Sequence, residues 1–150
     1  MFARKIELKK ILIFIFIFVF VFTLFGCYQD KTLDNEVLEV IGIKPDGAKK
    51  QDNVYYYVVK DYDDYVKLIK DKIEMNNPER FDEEFFEKKM IIFLRVQYSI
   101  GVDDLQVFTA IENNDLVIDL QPTFNFGQYF DGRRIGIIID KVGFNKIKIK

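Results

Sequence analysis

Apolar residues form one long run near the start of this chain, followed by several shorter segments. The run Ile11–Phe25 is 15 residues long, and Thr23 is its only polar member. It is shorter than the roughly 20 apolar residues that a permanent membrane-spanning helix needs. From Leu38 onward, short apolar segments alternate with turn-forming residues, which is typical of a folded domain.

Seven of the later segments have the alternation, or the β-branched and aromatic content, of strands. They are Leu38–Ile43, Val54–Val59, Met90–Val96, Gln106–Ile111, Leu116–Leu120, Ile135–Ile139 and Lys146–Lys150. Asn113 and Asn114 tolerate positive φ, so they predict a tight hairpin turn. The segment Gln121–Arg133 is predicted to be a loop.

Between the second and third strands, the apolar spacing changes to that of a helix. Apolar residues in Tyr62–Ile73 recur at i, i+3, i+4, i+7 and i+11, which places them on one helical face. Asp61 is predicted to cap this helix, and Asp82 a second, shorter one. The order of elements predicts an α+β domain, with a mainly antiparallel sheet of about six or seven strands and a helical pair packed on one face.

The long apolar run and its flanking residues resemble the signal peptide of a bacterial lipoprotein. Four basic residues lie among the first ten, and Leu-Phe-Gly-Cys at Leu24–Cys27 corresponds to a lipobox. The resemblance implies export, cleavage before Cys27 and lipidation of its thiol by a diacylglyceryl group, which supplies the two acyl chains that stable anchoring needs. Phe25 is larger than the residue usual at its position, so an uncleaved anchor is the alternative.

The domain organisation follows from this resemblance. Residues 1–26 are the expected signal peptide, residues 27–36 a polar tether, and residues 37–150 a single α+β domain. The basic N-terminal end resists translocation, so residues 27–150 lie outside the cytoplasm in both alternatives. The expected location is the extracytoplasmic side of the cell membrane.

Charge and composition exclude several classes of function. Residues 27–150 contain 18 Lys and Arg against 23 Asp and Glu, a formal net charge of −5. Nucleic acid is not an expected partner, because its binding domains usually carry a clustered basic face. The chain has no histidine and one cysteine, which excludes a His-based triad and an ordinary zinc site. No metal and no cofactor are expected.

Asp61, Asp63 and Asp64 suggest a calcium loop. Such a loop needs Gly at its sixth position and an acidic residue at its twelfth. Counted from Asp61, those positions hold Val66 and Lys72. Helix capping therefore explains the three acidic residues better.

Asp103, Asp104 and Ser99 are the remaining candidates for catalysis. Paired carboxylates can act as acid and base, but adjacent ones in a glycine-containing turn are usually solvated. Ser99 has no candidate base nearby in the sequence. A small envelope hydrolase that uses these residues is kept as an alternative function.

Aromatic residues are concentrated in the predicted loop. Phe124, Phe126, Tyr129, Phe130 and Arg133 interleave there with Gly, Asn and Gln. Aromatic residues and Arg are enriched at binding hot spots, so these five are the candidate partner-binding residues. Two other interpretations remain open: the rings extend the core over the end of the sheet, or they touch the bilayer interface.

The helix Tyr62–Ile73, the segment Phe81–Phe86, the strand Met90–Leu94 and the Tyr98–Gly101 turn form a recognisable series. Together they make Lys60–Lys150 similar to the C-terminal domain of the PrcB family of bacterial lipoproteins. In PrcB itself, this domain accompanies a cell-surface protease. The resemblance implies an envelope protein, such as a protease, as partner, and it implies no active-site residues.

We therefore expect a membrane-anchored, extracytoplasmic lipoprotein that binds or stabilises another envelope protein without catalysing a reaction. A small envelope hydrolase and a small-molecule-binding protein are the alternatives. The second of these requires a cavity between the sheet and the helices.

Overall fold

The structure is a computed structural model that describes residues 30–150, except for the side chains of residues 125–131. Over this range the chain forms a seven-stranded sheet, a two-stranded sheet and two α-helices. The strands are β1 (Lys31–Leu33), β2 (Asn35–Glu39), β3 (Gly42–Ile43), β4 (Lys49–Gln51), β5 (Val54–Val59), β6 (Ile73–Glu74), β7 (Lys89–Glu112), β8 (Asp115–Asp140) and β9 (Ile147–Ile149). The helices are α1 (Tyr62–Asp71) and α2 (Glu83–Lys88). The predicted α+β class with a mainly antiparallel sheet is confirmed, whereas the number and bounds of the strands differ from the prediction.

Strands β7 and β8 are 24 and 26 residues long and pair with each other from end to end. The hairpin turn that joins them has Asn113 and Asn114 at positive φ, 52° and 63°. The predicted Asn-Asn turn is therefore confirmed. We call Lys89–Tyr98 and its β8 partners the near half of this hairpin, and Asp104–Glu112 and its partners the far half.

The prediction of a loop over Gln121–Arg133 is wrong, because these residues belong to β8. Ile100 is opposite Tyr129 but Gly101 is opposite Asn125, so one step along β7 corresponds to four along β8. A second register shift falls between Val102 and Asp104. Irregularities of this kind bend a strand pair and interrupt the alternation by which a strand is recognised in sequence. The predicted turns around Ser99 and Asp103 are likewise strand.

The bent hairpin folds over so that its two halves enclose a core. β1 pairs with the far half of β7, while β2, which begins two residues after β1 ends, pairs with the near half of β8. On the other side, Gln51 Nε2 donates to the Ile149 carbonyl oxygen at 3.0 Å, which links β4 to β9. The enclosed cluster consists mainly of aliphatic side chains: Leu33, Val54, Met90, Ile92, Leu94, Val96, Leu116, Ile118, Ile135, Ile137, Ile139 and Ile147.

The helices cover the outer face of the near half. Successive strand residues point to opposite faces, so Ile91, Phe93 and Ile138 point away from the enclosed core. These side chains pack with Tyr65 from α1 and Phe86 from α2 in a second buried cluster. The core of the protein thus has two layers, one on each face of the near half.

Each α-helix begins directly after an aspartate that caps it. Asp61 Oδ1 accepts a hydrogen bond from the Asp64 backbone N–H at 2.9 Å, and Asp82 Oδ1 accepts one from Phe85 N–H at 2.9 Å. Both capping predictions are confirmed. Helix α1 ends two residues before its predicted end, because Ile73 pairs with β3 instead.

The predicted tether, residues 27–36, is too long. Its residues Lys31–Leu33 form β1, and Leu33 is only 5% exposed within the enclosed core. Asn35, at the start of β2, donates through Nδ2 to Thr109 Oγ1 at 3.1 Å. Polar composition concealed the strand, because Leu33 is its one side chain that enters the core. The folded domain therefore includes residues from Lys31 onward, whereas the prediction placed its start at residue 37.

The Tyr65 hydroxyl predicts a measurable dependence of stability on pH. Tyr65 is 3% exposed and donates to the Pro78 carbonyl oxygen at 2.6 Å. Burial raises the pKa of Tyr65 to about 12. The unfolded chain ionises at its ordinary pKa of about 10. Folding stability from this group is therefore complete below pH ~10 and declines as the pH rises towards ~12.

We expect Tyr65→Phe to be less stable than the wild type at neutral pH, because the substitution removes that hydrogen bond. Its disadvantage should shrink by on the order of 2 kcal/mol between pH ~9 and ~12, since two pKa units correspond to about 2.7 kcal/mol. Urea unfolding of the wild type and the variant across this pH range measures the difference between their free energies of unfolding. A gap that stays constant with pH would show that Tyr65 ionises normally in the folded state.

Gly136 gives a second test, of the packing between sheet and helices. A Cβ added at Gly136 would lie 3.3 Å from Phe93 Cε1 and 3.5 Å from Leu38 Cβ, whereas one at Gly143 meets nothing within 4 Å. Phe93 is fully buried, so its ring would have to shift within packed surroundings. Gly136→Val should therefore cost about 2 kcal/mol of stability through overpacking, and the control Gly143→Val less than about 0.5 kcal/mol. Equal melting temperatures for the two variants would contradict this packing.

Candidate functional site

Beyond the helices, the outer face of the near half becomes polar. The side chains that follow Ile91 and Phe93 on this face of β7 are Arg95, Gln97 and Ser99. Polar residues thus replace apolar ones where the helical cover ends. This exposed polar part of the sheet is therefore the candidate functional site.

Arg95 and Arg134 are directly opposite each other in the β7–β8 pair. Like charges in such positions destabilise an antiparallel sheet. Arg95 Nη1 donates to the Ile43 carbonyl oxygen at 3.4 Å. Across residues 30–150, neither guanidinium forms an ion pair with a described carboxylate. The sheet therefore brings together two cations that no described carboxylate pairs with.

Both arginines line an open groove of about 610 Å³, which we call the Arg95–Arg134 groove. It lies between the outer face of the sheet, the β3–β6 pair and the C-terminal end of α1. Its described lining residues are Ile41, Gly42, Ile43, Lys44, Ile69, Lys70, Asp71, Lys72, Ile73, Glu74, Met75, Pro78, Arg95 and Arg134. Five are basic and two are acidic, in a domain whose net charge is negative. The groove is thus locally cationic.

The loop after β3 borders the groove and is held in place by two contacts. Tyr57 Oη is 2.9 Å from the Lys44 carbonyl oxygen and 2.6 Å from that of Asp46. Lys72 Nζ lies 2.5 Å from Asp46 Oδ2. This hydrogen bond lowers the pKa of Asp46 and raises that of Lys72, so both groups are held in their charged forms. The pair fixes the loop against the end of α1.

An apolar wall stands next to the arginines. Ile41 is 50% exposed, and Ile69 and Met75 also line the groove. An exposed isoleucine beside paired arginines suits a ligand that has both an aliphatic and an anionic part. The groove can therefore bind and orient such a ligand.

The predicted partner-binding aromatic residues lie at the bend of the hairpin. Phe124 is 40% exposed and contacts the Tyr98 ring edge to face, with centroids 6.0 Å apart. Burial raises the pKa of Tyr98, and the positive charge of nearby Arg133 opposes part of this rise. Phe124 is thus partly exposed and partly packed, and its role in binding a partner stays a prediction.

The side chains of Phe126, Tyr129 and Phe130 lie outside the described part of the structure. Their backbone belongs to β8. Their binding role stays a prediction, as does the choice between core and surface for their rings.

Arg133 has a structural contact that the sequence did not indicate. Its Nη2 donates to the Val102 carbonyl oxygen and lies 3.5 Å from that of Asp103. These carbonyls belong to the segment of β7 where the register shifts. Arg133 therefore supports the bend, and its expected contact with a partner remains a prediction.

The remaining candidates have other positions. Asp104 Oδ1 accepts from the Leu105 backbone N–H at 2.8 Å, and Asp103 and Ser99 are exposed on β7. Cys27 lies outside the described residues. Among the described side chains, those of residues 30–124 and 132–150, no group of three His, Cys, Asp or Glu is placed to hold a metal ion. None of the described helices combines the length and the apolar character required to cross a membrane.

Sequence reasoning missed the Arg95–Arg134 pair. The two residues are far apart in the chain: Arg95 lies within the apolar run Met90–Val96, and Arg134 borders the run Ile135–Ile139. Only the register of β7 against β8 shows that they are neighbours. The available signal was a charged residue inside the apolar run Met90–Val96, which is unusual for a central strand.

The chain matches no family model, no curated protein and no solved structure. The similarity to the PrcB family and to lipoprotein signal peptides therefore stays a prediction from the sequence.

Proposed function

We propose that this protein is a lipoprotein anchored through Cys27 on the extracytoplasmic side of the membrane, where its domain binds another envelope protein without catalysing a reaction. The observation that carries the binding role is the placement of Arg95 opposite Arg134 on an open face. This arrangement opposes folding, and violations of such local rules are expected at functional sites.

The short distance between the anchor and the first strand supports this proposal. Only residues 28–30 separate Cys27 from Lys31, so the intervening chain spans at most about 14 Å. Lys31 is paired with Ile111, next to the turn of the long hairpin. A lipid on Cys27 would hold this end of the domain close to the bilayer.

The candidate contact residues lie towards the opposite end. From Ile139, which is opposite Asn35, to Arg133 is six residues of β8, or about 20 Å along a strand. Phe124 lies beyond this point, at the bend. The bend would therefore face away from the membrane, which favours contact with a partner over contact with the bilayer.

Small-molecule binding is a second candidate, favoured by the size of the groove. Its volume of about 610 Å³ falls within the range of roughly 300–1,000 Å³ found for small-molecule sites. The groove lies on the outer face of the sheet and not in a closed cavity between sheet and helices. A ligand there would remain accessible to a second protein.

Cys27→Ala tests the anchor. The wild type should sediment with membranes and yield an N-terminal peptide whose mass includes acyl chains on Cys27. The variant should lose that modification, because no thiol remains, and should either leave the membrane fraction or accumulate as an uncleaved precursor. Tyr28→Ala, one residue beyond the lipobox, is the matched control and should behave as wild type. Normal acylation of the Cys27→Ala protein would rule out this anchor.

Photo-crosslinking in intact cells tests the binding role. A photoreactive phenylalanine analogue at Phe124 should form an adduct with a specific envelope protein, because this ring is exposed at the bend. The same analogue at Phe108, which is 49% exposed on the far half, is the matched control and should not form that adduct. Adducts to lipid alone at Phe124 would indicate bilayer contact, and identical protein adducts at both sites would indicate non-specific encounter. Either result contradicts the proposal.

A further inference from the structure

We infer that the Arg95–Arg134 groove binds an acidic segment of the partner protein, with one carboxylate held between the two guanidinium groups. This inference rests on the proposed function, and it names the chemistry that the partner must present.

The register of the sheet brings the two arginines within reach of one anion. Directly opposed residues in an antiparallel pair have Cβ atoms about 4.5–5.5 Å apart. Arg95 and Arg134 occupy such positions on the same face. Guanidinium groups bind carboxylates through paired, charge-assisted hydrogen bonds. A carboxylate between them would turn their mutual repulsion into two attractions.

The acidic residues of the domain leave this position open. Asp46 is paired with Lys72, and Glu36 Oε1 is 2.8 Å from Arg80 Nη2. Asp71 and Glu74 line the groove, but within the described chain neither forms an ion pair with an arginine. Among the described side chains, no carboxylate pairs with either arginine, so the position between them is open to a carboxylate from another molecule.

The lining favours a peptide over an anionic membrane surface. Ile41, Ile69 and Met75 form an apolar wall beside the arginines, which suits aliphatic side chains next to an acidic residue. Asp71 and Glu74 at the same groove would repel a dense layer of phosphates more strongly than a segment that presents one carboxylate between the arginines. A concave groove, moreover, fits an extended segment better than a flat surface.

The full-length protein, purified in a neutral detergent, can be titrated with a fluorescein-labelled peptide that alternates Glu and Leu. We expect binding, measured by fluorescence anisotropy, that weakens as salt is raised. Replacing every Glu of the peptide by Gln should abolish it. The double variant Arg95→Gln/Arg134→Gln should bind at least about tenfold more weakly, because it loses charge-assisted hydrogen bonds.

The matched control is Lys67→Gln/Lys88→Gln. It makes the same change in net charge at two exposed helix residues outside the groove and should bind within about twofold of wild type. The melting temperature gives an independent readout. Removing opposed like charges should leave it unchanged or raise it in the groove variant. Weaker binding together with undiminished stability would exclude simple loss of the fold.

Four results would overturn the inference. In the first, the wild type does not bind the acidic peptide; in the second, the groove variant binds it as tightly as the wild type. In the other two, the peptide does not bind, and the arginines instead bind inorganic phosphate or phosphatidylglycerol vesicles. The last two would assign the groove to a free anion or to a lipid surface. If the groove fails this test while Phe124 still crosslinks to a specific protein, the proposed function stands and the contact lies at the bend.

Discussion

The pairing of β7 with β8 is the interaction on which the rest of this structure depends. A straight two-stranded ribbon of this length would be marginal in water, because neither of its faces would be covered. The register shifts near Gly101 and Val102 bend it, so that the apolar inner faces of the two halves meet. β1 and β2 then connect the halves along one side. Where β1 leads into β2, Thr109 Oγ1 donates to the Leu33 carbonyl oxygen at 2.9 Å and accepts a hydrogen bond from Asn35 Nδ2. The buried polar groups are therefore satisfied where the two halves are joined.

Features set by local chemistry were predictable from the sequence. The strand Val54–Val59, the caps Asp61 and Asp82, and the Asn113–Asn114 turn each depend on a few neighbouring residues, and the structure has all of them. Features set by distant pairing were not predictable. Lys31–Leu33 is mostly polar and becomes a strand because the far half of β7 offers it an edge. Residues 121–133 lack regular alternation and continue as a strand because β7 pairs with them through the bend.

The same distinction explains the candidate site. Arg133 and Arg134 are adjacent, so their side chains point to opposite faces of β8. One supports the bend through the Val102 carbonyl oxygen, and the other lines the groove. A shift of one residue in the register would move Arg134 to the inner face and bring Arg133 outward. The extra residues in β8 thus decide both where the hairpin bends and which residue is opposite Arg95.

The proposed anchoring at Cys27 would lower the affinity that the groove has to supply for a partner. A domain that a short segment holds close to the membrane meets membrane-bound partners at a high effective concentration. Contacts that are too weak to persist in solution then become significant. A carboxylate between two arginines suits such a contact, because exposed charge interactions are modest and are screened beyond roughly 8 Å at physiological salt. The aliphatic wall at Ile41 would then add selectivity that charge alone lacks, since an acidic segment without apolar neighbours leaves that wall exposed to water. Recognition would thus require both an acidic and an aliphatic residue close together on the partner, presented on the outer side of the membrane.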